Sequence, residues 1–451
     1  MSVAVESLFT SALGLQAPWV VTKVDLDTAK RRIDFEVSCE AKKLPCPACA
    51  ADGKGIHDRV RRDWRHLDFF QYEAWLHVDV PRIDCDTCGK TTAVEVPWAR
   101  PGSGFTLLFE ALALTLCQEM PVSQAGTMLR VDSKRLWRRI EHYVGLARAQ
   151  DDTSEVKVVG IDETSARRGH DYVTVVHDLE AKRLLFMTQG KDHKTVTGFQ
   201  ADLLAHGGNC DQIKHVCMDM SAAYAKGVTE QFPEAQISFD RFHVIALANA
   251  AMDAVRCKEF EEQPRVMRSV LGTERKVIHG LMWGMRRDAA DWSKREMNTM
   301  YLLERSNLKS ARAWRLKEAL RDVYAQAVSC NCEQQAQALM QGWISWTRRS
   351  RLEPFKKIAI TLRDRLPGVV RGMLDGRSNA YVEAMNGLLQ QAKRAARGFR
   401  TVKNFAAIAY LRMSKLAQLP VNPLLPAKPL SNGASGTRRY RSGCQVPLKT
   451  A

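Results

Sequence analysis

Two acidic residues, far apart in the chain, stand where carboxylates could bind metal ions. Asp162 follows the apolar stretch 156–161, and Asp219 follows the apolar stretch 213–218. A carboxylate at the end of a buried strand is costly unless a partner satisfies its charge. If the two strands are neighbours in one sheet, the carboxylates repel each other, and a divalent cation between them removes that repulsion. The pair therefore predicts a Mg²⁺ site, in which Mn²⁺ is an expected substitute.

A third acid, Glu383, lies on a helix predicted over 378–397. Helical spacing places polar residues on one face of it and apolar residues on the other. The polar face contains Glu383, Asn386, Gln390, Arg394 and Arg397, and the apolar face contains Met385, Leu389, Ala392 and Ala396. Guanidinium groups beside a metal ligand suit a phosphodiester that runs along the helix. The alternative is an ordinary solvated acid on a helix surface.

The chemistry that these three acids predict is two-metal phosphoryl transfer. Two ions ~3.5–4 Å apart can activate a water or a DNA 3′-hydroxyl and stabilise the leaving oxygen. One such site could hydrolyse a DNA strand and then join the free end to another DNA. No nucleophilic side chain is needed.

Four cysteines have the spacing of a zinc site. Cys46 and Cys49 form one CxxC pair, Cys85 and Cys88 form another, and 35 residues separate the pairs. Each CxxC turn places two thiolates on one side of a knuckle, and two knuckles complete the tetrahedral shell of a structural Zn²⁺. The alternative is four unrelated reduced cysteines.

The stretch 105–149 predicts three helices, of which the last two form a helix-turn-helix. The second helix begins near Pro121 and turns Ala125, Met128 and Leu129 inward, and Asp132 or Ser133 caps the third. The exposed face of the third helix contains the predicted DNA contacts Lys134, Arg135, Arg138 and Arg139. Lys393, Arg394 and Arg397 are further candidates for DNA contacts. A plain three-helix bundle with a solvated basic face is the alternative.

The pattern after residue 155 predicts a ribonuclease-H-like α/β core. Its predicted elements are strands 156–161, 172–178 and 183–188, helix 195–205, strand 213–218, helix 222–232 and strand 236–240. Strand patterns then disappear until the helix of Glu383, which predicts an all-helical insertion. The fold class is therefore multidomain α+β, with a small zinc-binding β domain and a helix-turn-helix domain ahead of the core.

We predict six segments along the chain. They are a zinc-binding domain (1–101), a helix-turn-helix domain (102–150), the first part of the core (151–258), a helical insertion (259–371), the last part of the core (372–416) and a disordered basic tail (417–451).

Composition favours a nucleic-acid partner. The chain of 451 residues has a formal net charge of +17, and Lys and Arg bind phosphates by releasing counterions. No segment approaches the ~18 consecutive apolar residues of a membrane helix, and no secretory signal is recognised at the N-terminus. We therefore expect a cytoplasmic protein with no membrane partner.

Several short blocks together resemble the transposases of bacterial insertion sequences of the ISL-three group. The blocks are Gly160-Ile161-Asp162-Glu163 with Gly169-His170-Asp171-Tyr172, Met218-Asp219-Met220-Ser221 with Tyr224, Asp240-Arg241-Phe242-His243, Ser378-Asn379 through Glu383-Ala384-Met385-Asn386, and Lys393-Arg394 with Gly398-Phe399-Arg400. The two CxxC pairs and the helix-turn-helix also match this group, and the resemblance covers most of positions 40–415. Ala384 departs from the glycine that more often follows the glutamate.

The resemblance implies a DDE transposase whose catalytic triad is Asp162, Asp219 and Glu383. It implies binding of terminal inverted repeats and target DNA, by at least a dimer on DNA. His243 and Asn386 are expected to border the site, although packing alone would also explain His243. The rival interpretations are a non-catalytic DNA-binding regulator, a nuclease on the same core and an inactivated element copy.

Overall fold

The computed structural model describes residues 4–167, 171–271, 275–287, 291–330, 332–374 and 380–424. Gly169, His170, Ser378 and Asn379 of the resembling blocks, and most of the predicted tail, lie outside the described residues. The chain forms two compact units. One contains the described residues up to Thr115 and from Pro420 onward, and the other runs from Leu116 to Leu419.

The first unit is a β domain, as predicted. Its elements are α1 (Val5–Ala12), β1 (Trp19–Asp27), β2 (Arg32–Cys39), β3 (Lys43–Leu44), β4 (Lys54–Arg65), β5 (Glu73–Cys85) and β6 (Lys90–Ala93). The strand order is β1-β2-β5-β4-β3, with β6 paired to β5. Alternate residues of β2 are buried, because successive side chains of a strand point to opposite faces. Phe35, Trp64 and Leu76 lie in the resulting core.

Three helices follow, in the order that the sequence predicts. They are α2 (Leu107–Glu119), α3 (Val122–Leu129) and α4 (Ser133–Ala149). Asp132 caps α4 by accepting a hydrogen bond from the backbone N–H of Lys134, as expected for an N-cap aspartate. Ala125 and Leu129 are buried, but Met128 is 55% exposed. The prediction that Met128 points inward was therefore wrong, since the short helix α3 has only a narrow buried face.

The second unit contains a mixed five-stranded sheet. Its strands are β7 (Val158–Arg167), β8 (Asp171–Asp178), β9 (Arg183–Gln189), β10 (His215–Met218) and β11 (Gln236–Phe239), and its first helices are α5 (His193–Ala205) and α6 (Ala222–Gln231). The strand order is β11-β10-β7-β8-β9. Strands β7, β8 and β9 are antiparallel neighbours, whereas β10 runs parallel to both β7 and β11. This arrangement confirms the predicted core and places β7 beside β10.

The insertion is helical throughout its described residues. It comprises α7 (Arg241–Glu262), α8 (Pro264–Leu271), α9 (Arg275–Arg286), α10 (Lys294–Glu304), α11 (Lys309–Ala327), α12 (Glu333–Arg349) and α13 (Glu353–Asp364). The buried carboxylate of Glu259 joins α7 to the start of α11, where it accepts hydrogen bonds from the backbone N–H groups of Lys309 and Ser310. The insertion shares one apolar core with the sheet.

Three helices complete the unit: α14 (Leu366–Leu374), α15 (Ala380–Ala395) and α16 (Val402–Met413). Helix α14 lies close to β11, where Arg371 Nε donates to the carbonyl oxygen of Ile237 at 2.9 Å. Leu389 of α15 and Phe405 of α16 pack with Val173 and Val175 of β8. The opposite face of the sheet packs against α5 through Phe199. Helices therefore cover both faces, and α15 reaches the acids of β7 from one of them.

None of the helices formed by the described residues is both long enough and apolar enough to span a membrane.

Candidate active site

Three acidic residues follow one row of the sheet. Ile161 of β7 pairs with Met218 of β10, and Met218 pairs with Phe239 of β11. The next residues along the three strands are Asp162, Asp219 and Asp240. Because neighbouring strands lie about 4.8 Å apart, this register brings the three carboxylates to one edge.

Asp162 lies inside a strand and not at its end. Strand β7 continues to Arg167, and Asp162 pairs with Val175 of β8. The predicted strand end at residue 161 was wrong, since the polar residues after Asp162 still pair with β8. Strand β10, however, stops at Met218, so Asp162 is the first residue of β7 beyond its parallel neighbour.

Asp162 is a buried acid whose carboxylate has several polar neighbours. The residue is only 6% exposed to solvent. Asn386 Nδ2 donates to its Oδ2 at 2.6 Å, and His243 Nε2 lies 3.8 Å from its Oδ1. Burial and the charge of Asp219 raise the pKa of Asp162 to about 6, although the backbone N–H of Glu163 and the neighbouring His243 act in the opposite direction. An acid in this state gains from a cation that would hold it ionised.

Asp219 lines a cavity. Its Oδ1 accepts a hydrogen bond from the backbone N–H of Ser221 at 2.9 Å. The cavity, of about 530 Å³, is also lined by His243 and by Lys357 of helix α13. The helical insertion therefore contributes a positively charged side chain, that of Lys357, to the cavity beside Asp219.

Glu383 lies in the first turn of α15 and faces the row of acids. Tyr381, two residues earlier in the same turn, packs edge-on against His177 of β8, with ring centroids 5.7 Å apart. Burial first, and then the charges of Asp240 and Asp162, raise the pKa of Glu383. One ligand atom each of Glu383, Asp240 and His243 lie within 4.8 Å of one another. Among the described residues, Asp162, Asp219 and Glu383 do not form a group that tight. Glu383 thus joins the site through Asp240 and His243.

Two further side chains of α15 contact β7. Gln390 Nε2 donates to Thr164 Oγ1 at 2.7 Å, and Lys393 Nζ donates to the carbonyl oxygen of Ser165 at 2.6 Å. Arg394 and Arg397 are exposed. Asn386 is therefore one member of a polar seam that holds α15 at a fixed distance from the strand of Asp162.

The four predicted zinc ligands meet in the first unit. Their sulfur atoms all lie within 4.8 Å of one another, with Cys46 Sγ 3.8 Å from Cys88 Sγ and Cys49 Sγ 3.6 Å from Cys85 Sγ. Four sulfurs at ~2.3 Å around a tetrahedral Zn²⁺ would be separated by ~3.8 Å, so the donors fit that ion. Burial opposes ionisation of Cys85, but the backbone N–H of Cys88 and the Cys49 thiol outweigh it and lower its pKa to about 6.

Three family models match successive parts of the chain. A zinc-finger model of insertion-sequence transposases matches residues 42–88, and the helix-turn-helix domain of transposase family ISL3 matches residues 94–144. The transposase model of the same family matches residues 159–409, more than half of the chain. The chain belongs to the ISL3 family of transposases. The zinc-ribbon, helix-turn-helix and DDE transposase regions expected from the sequence are thereby confirmed.

Curated relatives agree with this assignment. The chain is 30% identical over 376 residues to the transposase for insertion sequence element IS1557 of Mycobacterium tuberculosis, which covers 78% of this chain and 82% of the relative. It is 24% identical over 387 residues to the transposase for insertion sequence element IS1001 of Bordetella parapertussis, which covers 83% and 90% of the two chains.

The basic side chains of α4 in this ISL3 transposase differ in their exposure to solvent. Lys134 and Arg138 of α4 are exposed, whereas Arg135 and Arg139 are half-buried. Burial lowers the pKa of Arg135, and the neighbouring Arg139 and Arg138 add to that effect. The exposed pair is therefore better placed than the half-buried pair to meet a phosphate backbone.

One acid of the transposase was not among the predicted site residues. Asp240 follows β11 just as Asp219 follows β10, and His243 stands one helical turn after it. An acid placed directly after a third apolar strand was the available signal. Asp240 was predicted only as the last residue of that strand and as part of a block that resembles the ISL-three group.

Proposed function

We propose that this transposase binds the terminal inverted repeats of its element and catalyses metal-dependent DNA strand cleavage and strand transfer. Asp162, Asp219 and Glu383 act as the metal-binding catalytic acids. The observation that carries the proposal is the buried Asp162, whose pKa is raised to about 6, in the same row as Asp219 and facing the helix of Glu383.

Hard oxygen donors of this kind suit two Mg²⁺ ions, with Mn²⁺ as a substitute. When bound, such ions supply the charge that activates the attacking oxygen and stabilises the leaving oxygen. The carboxylate of Asp162 is held for this role by the amide of Asn386, which leaves Oδ1 facing His243. Lys357, at the cavity beside Asp219, is placed to bind a phosphate of the DNA backbone.

DNA binding is assigned to three basic surfaces. The first is the exposed side of α4, with Lys134 and Arg138, together with Arg135 and Arg139 at its edge. The second is the end of α15, with Arg394, Arg397 and the partly buried Lys393. On all of these, Lys and Arg would bind phosphates and release counterions. We expect at least a dimer on DNA, because both element ends must be held during transfer.

The third surface is an arginine cluster in the helical insertion. It surrounds a cavity of about 350 Å³ and consists of Arg312, Arg315, Arg349 and Arg351, with Trp346 among them. Arg312 donates to the carbonyl oxygen of Ser350 and Arg315 to that of Glu304, and these contacts do not neutralise the guanidinium charges. Trp346 is 46% exposed, so a base could stack on its ring.

Cleavage of element-end DNA in Mg²⁺ tests the proposal. The substrate is a labelled duplex that contains the inverted repeat and its genomic flank, and the proteins are the wild type and Asp219→Ala. We expect nicking at the repeat by the wild type and a loss of at least a thousand-fold in the variant, since a metal ligand is gone. Asp192→Asn, an exposed N-cap aspartate of α5, is the control and should retain activity.

Products distinguish the rival functions. Joining of the cut end to a second DNA supports transposition, whereas cleavage without joining indicates a nuclease. Binding without cleavage by the wild type indicates a regulator or an inactivated copy. Equal nicking by the wild type and Asp219→Ala would overturn the assignment of the catalytic acids.

A further inference from the structure

Within the described part of the chain, two buried carboxylate oxygens of the candidate active site have no hydrogen-bond partner. Asp240 is 2% exposed. Its Oδ1 accepts a hydrogen bond from the backbone N–H of Phe242 at 3.2 Å, which caps helix α7. No donor among the described residues reaches its Oδ2, and the same is true of Glu383 Oε1. Helix capping therefore explains only one of the two Asp240 oxygens.

Neighbouring side chains among the described residues do not satisfy the second oxygen of Asp240. Burial and then the charge of Asp240 raise the pKa of the Tyr324 hydroxyl. That hydroxyl is itself buried and without a hydrogen-bond partner among the described residues. Arg241, the next residue after Asp240, stacks over the ring of Tyr324 with its guanidinium carbon 5.9 Å from the centroid. A buried carboxylate oxygen left unsatisfied is costly, and so the structure leaves a place for a cation.

We propose that Asp240 and His243 join Glu383 to bind one divalent cation. The three residues already bring a ligand atom each to within 4.8 Å of one another. The inference rests on the proposed function, because it makes this ion the second of the catalytic pair, next to an ion at Asp162 and Asp219. His243 lies between the two positions, since it is close to Asp162 as well as to Glu383.

The donor set indicates which cation the position prefers. Two carboxylates suit Mg²⁺ and Mn²⁺ equally, whereas an imidazole nitrogen favours the transition metal. We therefore expect Mn²⁺ to bind more tightly than Mg²⁺ at this position. The four thiolates of the zinc site select a softer ion, so Mn²⁺ reports on the two carboxylate positions and not on the zinc site.

Mn²⁺ binding to the full-length protein tests this assignment. Free Mn²⁺ is measured by electron paramagnetic resonance during titration of the wild type, Asp240→Asn and Asp192→Asn. Asparagine caps a helix as well as aspartate does, so Asp240→Asn keeps the cap of α7 and removes only the charged ligand. We expect at least a ten-fold weaker affinity for Asp240→Asn and an unchanged affinity for Asp192→Asn, the matched N-cap control.

A second variant leaves the helix cap untouched. His243→Gln, at a partly exposed side chain, should reduce the preference for Mn²⁺ over Mg²⁺, which competition titrations measure. Melting temperatures within a few degrees of the wild type show that both variants are folded. If Asp240→Asn binds Mn²⁺ as tightly as the wild type, the ion does not contact Asp240 and the inference is overturned.

The same titrations separate this inference from the proposed function. Loss of DNA cleavage in Asp219→Ala together with unchanged Mn²⁺ binding by Asp240→Asn would overturn only the assignment of Asp240 as a metal ligand. Weakened Mn²⁺ binding by Asp240→Asn together with full cleavage by Asp219→Ala would overturn the proposed catalytic triad and support the cation site at Asp240.

Discussion

Replacing Asp162 by asparagine should make the Mg²⁺-free protein more stable at neutral pH. The carboxylate of Asp162 is buried beside Asp219, and its pKa is raised from 3.8 to about 6, mainly by burial. Holding that group ionised in the fold costs free energy, because the unfolded chain ionises it more easily. At about 1.4 kcal/mol for each pK unit, the difference corresponds to about 3 kcal/mol. Asparagine removes the charge and retains an oxygen that can accept the hydrogen bond from Asn386.

The sign of the pH dependence follows from the raised pKa. Below about pH 4 the carboxyl group is protonated in both the folded and the unfolded chain, and it costs nothing. Between about pH 4 and pH 6 the unfolded chain loses its proton first, so the wild type loses stability as the pH rises. The advantage of Asp162→Asn should therefore be about half complete at pH 5 and level off at about 3 kcal/mol above pH 7.

Thermal unfolding in Mg²⁺-free buffer measures this difference. Chelators must be avoided, because they would also remove zinc from the four cysteines. At about 2 °C for each kcal/mol in a unit of this size, the melting temperature should rise by about 6 °C at pH 7.5. Adding Mg²⁺ should raise the melting temperature of the wild type by more than that of Asp162→Asn, which keeps only the cation position at Asp240, His243 and Glu383. Asp192→Asn, whose aspartate is exposed, controls for the substitution itself.

Two outcomes would refute the reasoning. A melting temperature of Asp162→Asn equal to or below that of the wild type at pH 7.5 would mean that the buried charge is already compensated without metal. An increase that does not depend on pH between 5 and 7.5 would mean that the gain comes from packing and not from ionisation.

Three further predictions follow from contacts elsewhere in the chain. Gly372→Ala should lower the melting temperature, because the new Cβ would lie 2.1 Å from the carbonyl oxygen of Phe239. Gly342→Ala, whose new Cβ would have nothing within 4 Å, should instead stabilise its helix by about 0.5–1 kcal/mol. Calorimetric shifts of the same sign in both variants would contradict this packing of α14. Cys85→Ser should abolish zinc binding, as measured by elemental analysis. Cys39→Ser, which replaces a buried cysteine outside the cluster, should retain the zinc. Full zinc content in both variants would exclude the four-cysteine site. Arg315→Ala and Arg349→Ala should each reduce the salt dependence of DNA binding by about 0.9 in the logarithmic slope, measured by fluorescence anisotropy. Arg363→Ala, which replaces an arginine paired with Asp364, is the control. An equal effect of all three variants would show that the arginine cluster is not part of the DNA-binding surface.

Features encoded in a short stretch of residues could be predicted without the structure. The CxxC pairs define the sulfur ligands by spacing alone, since each turn brings its two thiolates together locally. Helices α3 and α4 followed from Pro121, the cap Asp132 and the apolar positions between them. The order of strands and helices in the core also followed, because each strand has its own apolar run.

Side chains whose surroundings come from distant elements could not be placed in this way. A phosphodiester was expected to run along the polar face of α15, but Gln390 of that face contacts β7. Met128 fits an inward position by spacing but is exposed, because the buried face of α3 is narrower than its apolar pattern. Asp162 was placed one residue beyond a strand that in fact continues through pairing with β8.

The sequence by itself determined that this chain has a zinc ribbon, a helix-turn-helix and a sheet in which acids follow apolar runs, since these depend on residue types at fixed local spacing. Only the tertiary structure decided which acids become neighbours. The register of β7, β10 and β11 puts Asp240 in the row of Asp162 and Asp219, and the packing of α15 brings Glu383 to Asp240 and His243. Those distances depend on strand pairing and helix packing between residues far apart in the chain, and no local pattern contains them.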